Sequence, residues 1–454
     1  MLEKLFKLKQ NGTTVKMEIL AGITTFMTMA YILAVNPNIL SDAGMNPNAV
    51  LLATAIASFI ATTCMALMAN LPFVLSAGMG LNTYFAHTIV ISMGYSWKVA
   101  LLAVLVEGLV FIVLSLTNAR EAIFNSVPMT LKHGISVGIG LFVAFCGIQN
   151  AGLAVDAPTL VTITNFTENF STQGICAILA IIGMLITAVL HIRKVKGAIL
   201  VGVIITWMLG IICQLTGIYT PVPEAGFYSL IPSAIISFDF SSLGQTFGQC
   251  FKVDSGSIKP LDFVVVVFAL LFVDLFDTLG TVIGVTTKAN MLDDEGKLPK
   301  IKPMLLADAI GTTIGSVLGT STVTTFVESS AGVVAGGRTG LTAMVAGILF
   351  LLSTLFAPLF TAIPSFATAP ALIMVGFLMV NSVTKIRFDD DNLTEAIPAY
   401  IAIIAMPLFY SISEGITLGI ISYVVINVCT GKAKRINPLM YILSVLFILK
   451  YIYL

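Results

Sequence analysis

The sequence predicts an all-α polytopic membrane protein, with about fourteen transmembrane segments arranged as a seven-plus-seven inverted repeat. Three observations carry this. The 454 residues are 57% hydrophobic and 10% charged, with a mean hydropathy of +1.00, whereas a soluble chain is about a quarter charged. Apolar stretches of roughly 20 residues, the length that crosses a bilayer, follow one another along the chain. Basic residues fall in every second connection.

Spans are expected near 19–35, 48–69, 71–92, 97–117, 134–153, 174–191 and 197–216, then near 261–284, 304–319, 322–337, 341–362, 367–383, 395–410 and 414–430. The N-terminal leader holds Lys4, Lys7, Lys9 and Lys16. Connections after even-numbered spans hold Arg120 and Lys132; Arg193, Lys194 and Lys196; Lys288, Lys297, Lys300 and Lys302; Arg338; Lys385 and Arg387; and Lys432, Lys434 and Arg435. Of the 23 lysines and arginines, only Lys98, Lys252, Lys259 and Lys450 fall elsewhere. Positive charge collects on the cytoplasmic side, so both ends are expected in the cytoplasm of a multi-pass cell-membrane protein. The leader shows no cleavage site and reads as the approach to the first span rather than a removed signal.

The domain reading is a first repeat over 1–216, an outside linker over 217–260, a second repeat over 261–432, and a C-terminal interfacial helix over 433–454, with a fifteenth span as its alternative. Zero net charge gives no reason to expect nucleic acid. The six cysteines are scattered in apolar segments, which suits small core residues rather than a disulfide framework or a metal site.

The halves echo each other. "LSAGMGLN" (75–82) and "SSAGVVAG" (329–336) share Ser-Ala-Gly, and both crowd glycine into a span. Interrupted spans at matching positions in two halves point to a secondary transporter whose site lies at the broken helices. Freed backbone groups are tolerated there because they line a cavity. The first span of each half is then expected to face the broken spans. The first half offers threonines in "AGITTFMTMAY" and the second offers acids.

An ionisable group at the bilayer centre costs at least about 2.5–3.5 kcal/mol, so each one asks for a reason. Asp274 and Asp277 lie three apart, on one helical face. Glu328 precedes the second glycine break, and Asp308 lies in "LLADAIGTTIG". The octads "DTLGTVIG" (277–284) and "DAIGTTIG" (308–315) place glycines four apart, which predicts close contact between their two helices. Asn82, two residues past the glycines of the first broken span, can donate and accept. For all these residues the alternative is plain structural bonding across helices or at helix ends. Glu107, mid-span, is open between structure and function. His133 and His191 sit at span ends, and His87 suits a satisfied buried histidine.

The stretches "GMGLNTYFAH", "FVDLFDTLGT", "ATAPALIMVG" and "FDDDNLTEAIPAYIAIIAMPLFYSISEGI", with residues 319–333, resemble the nucleobase–cation symporter-2 (nucleobase/ascorbate transporter) family, and within it the AzgA-like adenine, guanine and hypoxanthine permeases. The resemblance runs from about residue 5 to 432. It implies a core domain (spans one to four and eight to eleven) moving against a gate domain (spans five to seven and twelve to fourteen), short strands in spans three and ten, and a homodimer. It implies proton-coupled purine uptake with no cofactor beyond the proton. The family's span-eight acid, in the pattern acid-x-x-Gly, falls on Asp277. Its span-ten acid, after aromatic-x, falls on Glu328 behind Phe326, and its span-three position falls on Asn82. Ser329 joins these as a substrate-binding candidate. Where uracil-type members carry a histidine one turn after the span-eight acid, this chain has Thr281. Proton coupling therefore shifts to aspartates, Asp277 first and Asp274 or Asp308 second.

Elementary chemistry agrees with that substrate. Guanine presents N1–H and the 2-amino group side by side, which suits a carboxylate with two acceptor oxygens. Backbone amides at the broken spans can meet a carbonyl oxygen. Phe326, Tyr84 or Phe85 can cover a ring face, a contact of about 1–3 kcal/mol in nucleic-acid sites. A carboxylate out of water takes up and releases a proton readily. Two rival classes remain. An anion transporter of the same fold needs positive charge at the site, and Arg338 is the cation nearest to it in sequence. An intramembrane aspartyl protease, an enzyme, needs two aspartates sharing a proton, but the Gly-x-Gly-Asp context is absent.

Overall fold

The computed structural model describes residues 2–117, 126–158, 160–195, 197–253, 259–289, 300–326 and 328–453. Arg120, Lys196 and Lys297 of the expected charge pattern, and Val327 of the Phe326-Val327-Glu328 motif, lie outside the described residues. Nine helical runs among the described residues are long and apolar enough to cross a membrane. The protein is a multi-pass membrane protein.

After a short α1 (Leu2–Phe6), the expected first span is two helices, α2 (Val15–Met29) and α3 (Ile32–Asp42), which meet at Ala30-Tyr31. The hydroxyls of Thr24, Thr25 and Thr28 bond back to carbonyls one turn earlier, at 2.8, 3.0 and 3.2 Å. Such back-bonding competes with the helix ladder and favours a bend just ahead of this break. Next come α4 (Pro47–Cys64), capped by the Asn46 side chain, and a wider helical turn over Met65–Ala69. Asn70 ends that turn in the left-handed region at φ 52°.

The third expected span is broken. Strand β1 (Leu75–Ala77) leads through Gly78 into a short α5 (Met79–Thr83), which widens over Tyr84–Ser92. Then follow α6 (Trp97–Leu116) and α7 (Met129–Asn150). Strands β2 (Ala154–Ala157) and β3 (Leu160–Ile163) form an antiparallel pair between the fifth and sixth expected spans. Helices α8 (Ile175–Ile192) and α9 (Ala198–Leu215) close the first half.

The second half starts with the 30-residue α10 (Pro260–Ala289) and α11 (Ile301–Leu318). It breaks at β4 (Val323–Thr325) and the short α12 (Ser329–Val334). It continues through α13 (Gly340–Ser353), α14 (Ala357–Thr361), α15 (Ser365–Val380), α16 (Leu393–Leu408) and α17 (Ile412–Cys429). Helix α18 (Pro438–Tyr453) lays Met440, Leu443 and Phe447 against the protein, with Phe447 meeting the rings of Phe268 and Phe272.

The two broken segments meet. β1 and β4 pair antiparallel, with Leu75 opposite Thr325, Ser76 opposite Thr324 and Ala77 opposite Val323. Bonds from Gly78 N to Thr322 O (3.0 Å) and from Phe326 N to Val74 O (3.1 Å) extend the ladder. The Ser-Ala-Gly echo does not mark equivalent places. In the first half Ser76-Ala77 is strand, whereas Ser330-Ala331-Gly332 lies inside α12. Three shared residues are too weak a signal to set register.

Helices pack mainly in two sets. α2, α4, α6, α11 and α13 pack on one another, with α4, α10 and α11 against the strand pair, while α7, α8, α9, α15, α16 and α17 form the other set. In the second set α8 and α9 interlock through small residues. A Cβ on Gly183 would stand 2.2 Å from Thr206 Oγ1, and one on Gly202 would stand 2.0 Å from Thr187 Oγ1. Close approach through Gly and Thr is how helices associate in lipid, where burial of apolar surface supplies no drive. The expectation that the glycines at 311 and 315 press on α10 is corrected. A Cβ on Gly311 would stand 2.6 Å from Ala61 Cβ of α4, and one on Gly315 would stand 2.9 Å from Val323 Cγ2. These glycines admit α4 and β4. Asp308 is the residue that α11 directs toward α10.

Candidate functional site

The acids gather around the strand pair but divide by exposure. Asp277 is half-buried and Glu328 is 8% exposed, whereas Asp274, Asp308 and Glu107 are fully buried. An acid that retains surface this deep in a helical protein faces a space, while one without surface is bonded into the frame.

Asp277 rides on α10 and points at the first break. A Cβ added to Gly78 would meet Asp277 Oδ2 at 3.6 Å, so the carboxylate lies beside bare backbone where α5 begins. The same Cβ would stand 2.6 Å from Thr324 Cγ2, which leaves glycine as the residue that fits. Glu328 lies on the second break, immediately before α12. The Tyr31 hydroxyl donates to its Oε1 at 2.6 Å. Asp277 is within Coulombic range of Glu328, Asp308 and Tyr31. Two carboxylates and a phenol, carried by α10, β4–α12 and the α2–α3 break, thus converge at the crossing of the broken segments.

Behind the strands lies a second, fully buried polar layer. Thr278 Oγ1 is 3.1 Å from Asp274 Oδ1, 3.3 Å from both oxygens of Asp308 and 2.7 Å from Thr324 Oγ1. A hydroxyl has one proton to give, so these contacts are shared rather than simultaneous. Thr322 Oγ1 donates to Glu107 Oε2 at 2.7 Å, which supplies the partner that the sequence reading lacked. Ser76 and Ser58 bond at 2.8 Å, and Asn36 Nδ2 donates to Thr54 (2.7 Å) and Thr320 (3.0 Å). Hydroxyls therefore tie β1 to α4, β4 to α10, and the residues leading into β4 to α3 and α6.

The remaining candidates are bonded to the frame. Asn82 accepts from the Ser321 hydroxyl and donates weakly to Ala77 O at 3.5 Å. Ser329 Oγ accepts from Val74 N at 3.0 Å, fixing the approach to β1 from the start of α12. Both are fully buried. Among the aromatic candidates, Tyr84 (1% exposed) and Phe85 (0%) pack in the core, and Phe326, next to Glu328 in the motif, keeps 6%. His87 is buried and satisfied as expected, bonding Asp42 Oδ2 at 3.1 Å and the Tyr410 hydroxyl at 3.0 Å.

Arg338 does not serve the site. Its Nη1 donates to the carbonyls of Val333 (2.7 Å) and Gly337 (2.8 Å), closing the end of α12. Its backbone N–H, with those of Thr339 and Thr342, goes to the Glu18 carboxylate at 2.8, 3.3 and 3.1 Å. Glu18, Tyr31 and Thr278 escaped the sequence reading. Glu18 sits in a charged leader, and a hydroxyl in an apolar run is ordinary until its partner, 297 residues away for Tyr31, is known.

Helices long enough to span, beside two strand-broken segments that bring carboxylates together, are the architecture of a membrane transporter. The chain belongs to the permease family whose model matches residues 16–418, the nucleobase/ascorbate transporter family. It is 47% identical over 454 residues to a putative permease of Methanocaldococcus jannaschii, covering 100% of this chain and 98% of the relative. It is 40% identical to the adenine permease AdeP of Escherichia coli (100% and 96% covered) and 42% identical to the guanine/hypoxanthine permease PbuG of Bacillus subtilis (100% of each). Among solved structures, the transmembrane domain of the cyanobacterial bicarbonate transporter BicA shares the fold, with a TM-score of 0.61 at 15% identity over 88% of this chain and 97% of that one.

Proposed function

We propose that the protein is a proton-coupled purine nucleobase symporter working by alternating access. The observation that carries this reading is the convergence of Asp277 and Glu328, both retaining surface, where the two strand-broken segments cross. Relatives named as adenine and as guanine/hypoxanthine permeases match over essentially the whole chain, which supports a purine as cargo.

Glu328 accepts from the N–H edge of the base, and Asp277 takes the second edge. Phe326 covers a ring face. A site built from hydrogen-bonding groups rejects analogues that leave those groups unpaired. Guanine and hypoxanthine, which both carry N1–H, fit a pair of acceptors better than adenine does. Asp308 and Glu328 both lie within Coulombic range of Asp277. Full ionisation of such a cluster is costly, so one member carries a proton. Asp277 is the coupling residue, because it alone of the aspartates at the site keeps surface. Asp274 and Asp308, both bonded to Thr278, lie behind it, with Asp308 within Coulombic range.

Fourteen segments follow if α10, the two broken segments, α16 and α17 are added to the nine long apolar runs. The segments before and after 217–260 then form inverted repeats, with both termini in the cytoplasm. The set around the strands is the core domain and the other set is the gate. The assembly is a homodimer. The fold shared with a bicarbonate transporter raises an anion as the second reading. Acids at the site, and an Arg338 already spent on carbonyls, oppose it.

The test is uptake of radiolabelled hypoxanthine, guanine, adenine and uracil into cells lacking their own permeases, with and without a protonophore. Wild-type purine uptake that collapses in Glu328→Gln, in Asp277→Asn and with protonophore is the expected result. Normal uptake in both variants would remove the acids from the mechanism. No purine uptake by the wild type would reject the substrate class and favour the anion.

A further inference from the structure

We propose that Tyr31 is the positioning residue of the substrate carboxylate: its hydroxyl holds Glu328 Oε1, so that Oε2 is the oxygen presented to the base. This rests on the reading of Glu328 as a base contact.

The geometry comes from the break in the first span. Residues 30 and 31 form a turn between α2 and α3, and the turn carries the Tyr31 side chain to the second broken segment. The ring is 0% exposed and is among the largest fully buried side chains of the protein. A tyrosine ring buried this fully is held by its neighbours, so its contact with Glu328 is set by the packing of the first span. At 2.6 Å the bond falls in the short range of O–H donors on carboxylates. Among the described residues, Tyr31 is the side chain that hydrogen-bonds Glu328.

Two consequences follow for recognition. A carboxylate free to rotate offers either oxygen in many directions and pays entropy to bind, whereas a pinned one is preorganised. A carboxylate that already accepts a phenol proton is held as an acceptor, so it selects N–H donors on the ligand and disfavours bare ring nitrogens. Tyr31 therefore adds to the choice between purines without touching them. Because the hydroxyl belongs to the first span, a shift of α2 and α3 against the strands would misalign Glu328. Affinity is thereby tied to the integrity of the core set.

The experiment is full-chain uptake kinetics of Tyr31→Phe, alone and combined with Glu328→Gln, beside wild type, with membrane abundance measured for each. Tyr31→Phe is expected to raise KM for guanine and hypoxanthine by about tenfold or more, the scale of one hydrogen bond to a charged group, with Vmax per molecule little changed. In the Glu328→Gln background the same change is expected to have a much smaller effect, since the partner is gone. Tyr31→His keeps a ring N–H donor and is expected to recover part of the affinity; it also serves if the phenylalanine variant does not reach the membrane. An unchanged KM in Tyr31→Phe, or an equal KM effect with and without the Glu328 carboxylate, would overturn the positioning role while leaving purine transport intact. A wild type that takes up no purine would overturn both.

Discussion

Glu18 holds five hydrogen-bond donors away from the site. Its carboxylate is fully buried at the start of α2. It accepts from three backbone N–H groups, those of Arg338, Thr339 and Thr342, and from the hydroxyls of Thr339 (2.8 Å) and Thr342 (2.7 Å). The backbone donors belong to the first turn of α13 and the residues leading into it, where helical N–H groups have no partner of their own. Losing a cap alone costs about 0.5–2 kcal/mol. Hydrogen bonds to a charged acceptor are worth about 1.5–3 kcal/mol each, and they do not add when five donors share two oxygens. Glu18→Ala is therefore expected to cost about 3–5 kcal/mol, the scale of leaving two or three buried donors unpaired. Glu18→Gln, which keeps one acceptor oxygen, is expected to lose roughly half of that. The assay is thermal denaturation of detergent-solubilised protein followed by size exclusion. Variants that melt together with wild type would refute the argument, because they would show that the five contacts contribute nothing net.

Three further outcomes are expected. Gly78→Ala forces a methyl to within 2.6 Å of Thr324 Cγ2 beside Asp277, so purine uptake should fall by at least about tenfold at normal abundance, read by the same uptake assay. Gly202→Val drives side-chain atoms into Thr187, 2.0 Å from where a Cβ would stand, and should lower the yield of folded protein in the size-exclusion profile. Tyr410→Phe removes the hydroxyl that bonds His87 Nδ1 at 3.0 Å across the two helix sets. It should cost about 1 kcal/mol in the denaturation assay, and less in a His87→Ala background, where only the contact with Cys146 is left to lose.

The architecture was legible where physics leaves a strong trace. Apolar runs mark helices because lipid admits little else, and glycine-rich interruptions mark the broken segments because only a protein-lined space tolerates them. Acids in such runs stand out for the same reason, and the structure brings two of them, Asp277 and Glu328, to the broken segments. What the sequence hid is contact between distant residues. Thr322 and Glu107 are 215 positions apart, and neither looks like the other's partner. Tyr31 reads as one aromatic in an apolar stretch. Glu18 reads as one charge in a polar leader, yet it closes a helix more than 300 residues away. The Ser-Ala-Gly echo misled because short matches between small residues follow composition as readily as geometry. The split between exposed and buried acids also needed coordinates, since Asp274 and Asp277 occupy the same helical face in sequence.

The pairing of β1 with β4 has a consequence for how such a protein changes its cargo over time. The frame that joins the two broken segments is main chain bonded to main chain, from Val74–Phe326 to Gly78–Thr322. Replacing a side chain does not cut it. The groups that face the ligand can therefore be exchanged one at a time, each variant still holding its two half-helices in register. The transmembrane domain of a bicarbonate transporter has the same fold at 15% identity, so the frame tolerates wide exchange of the side chains around it.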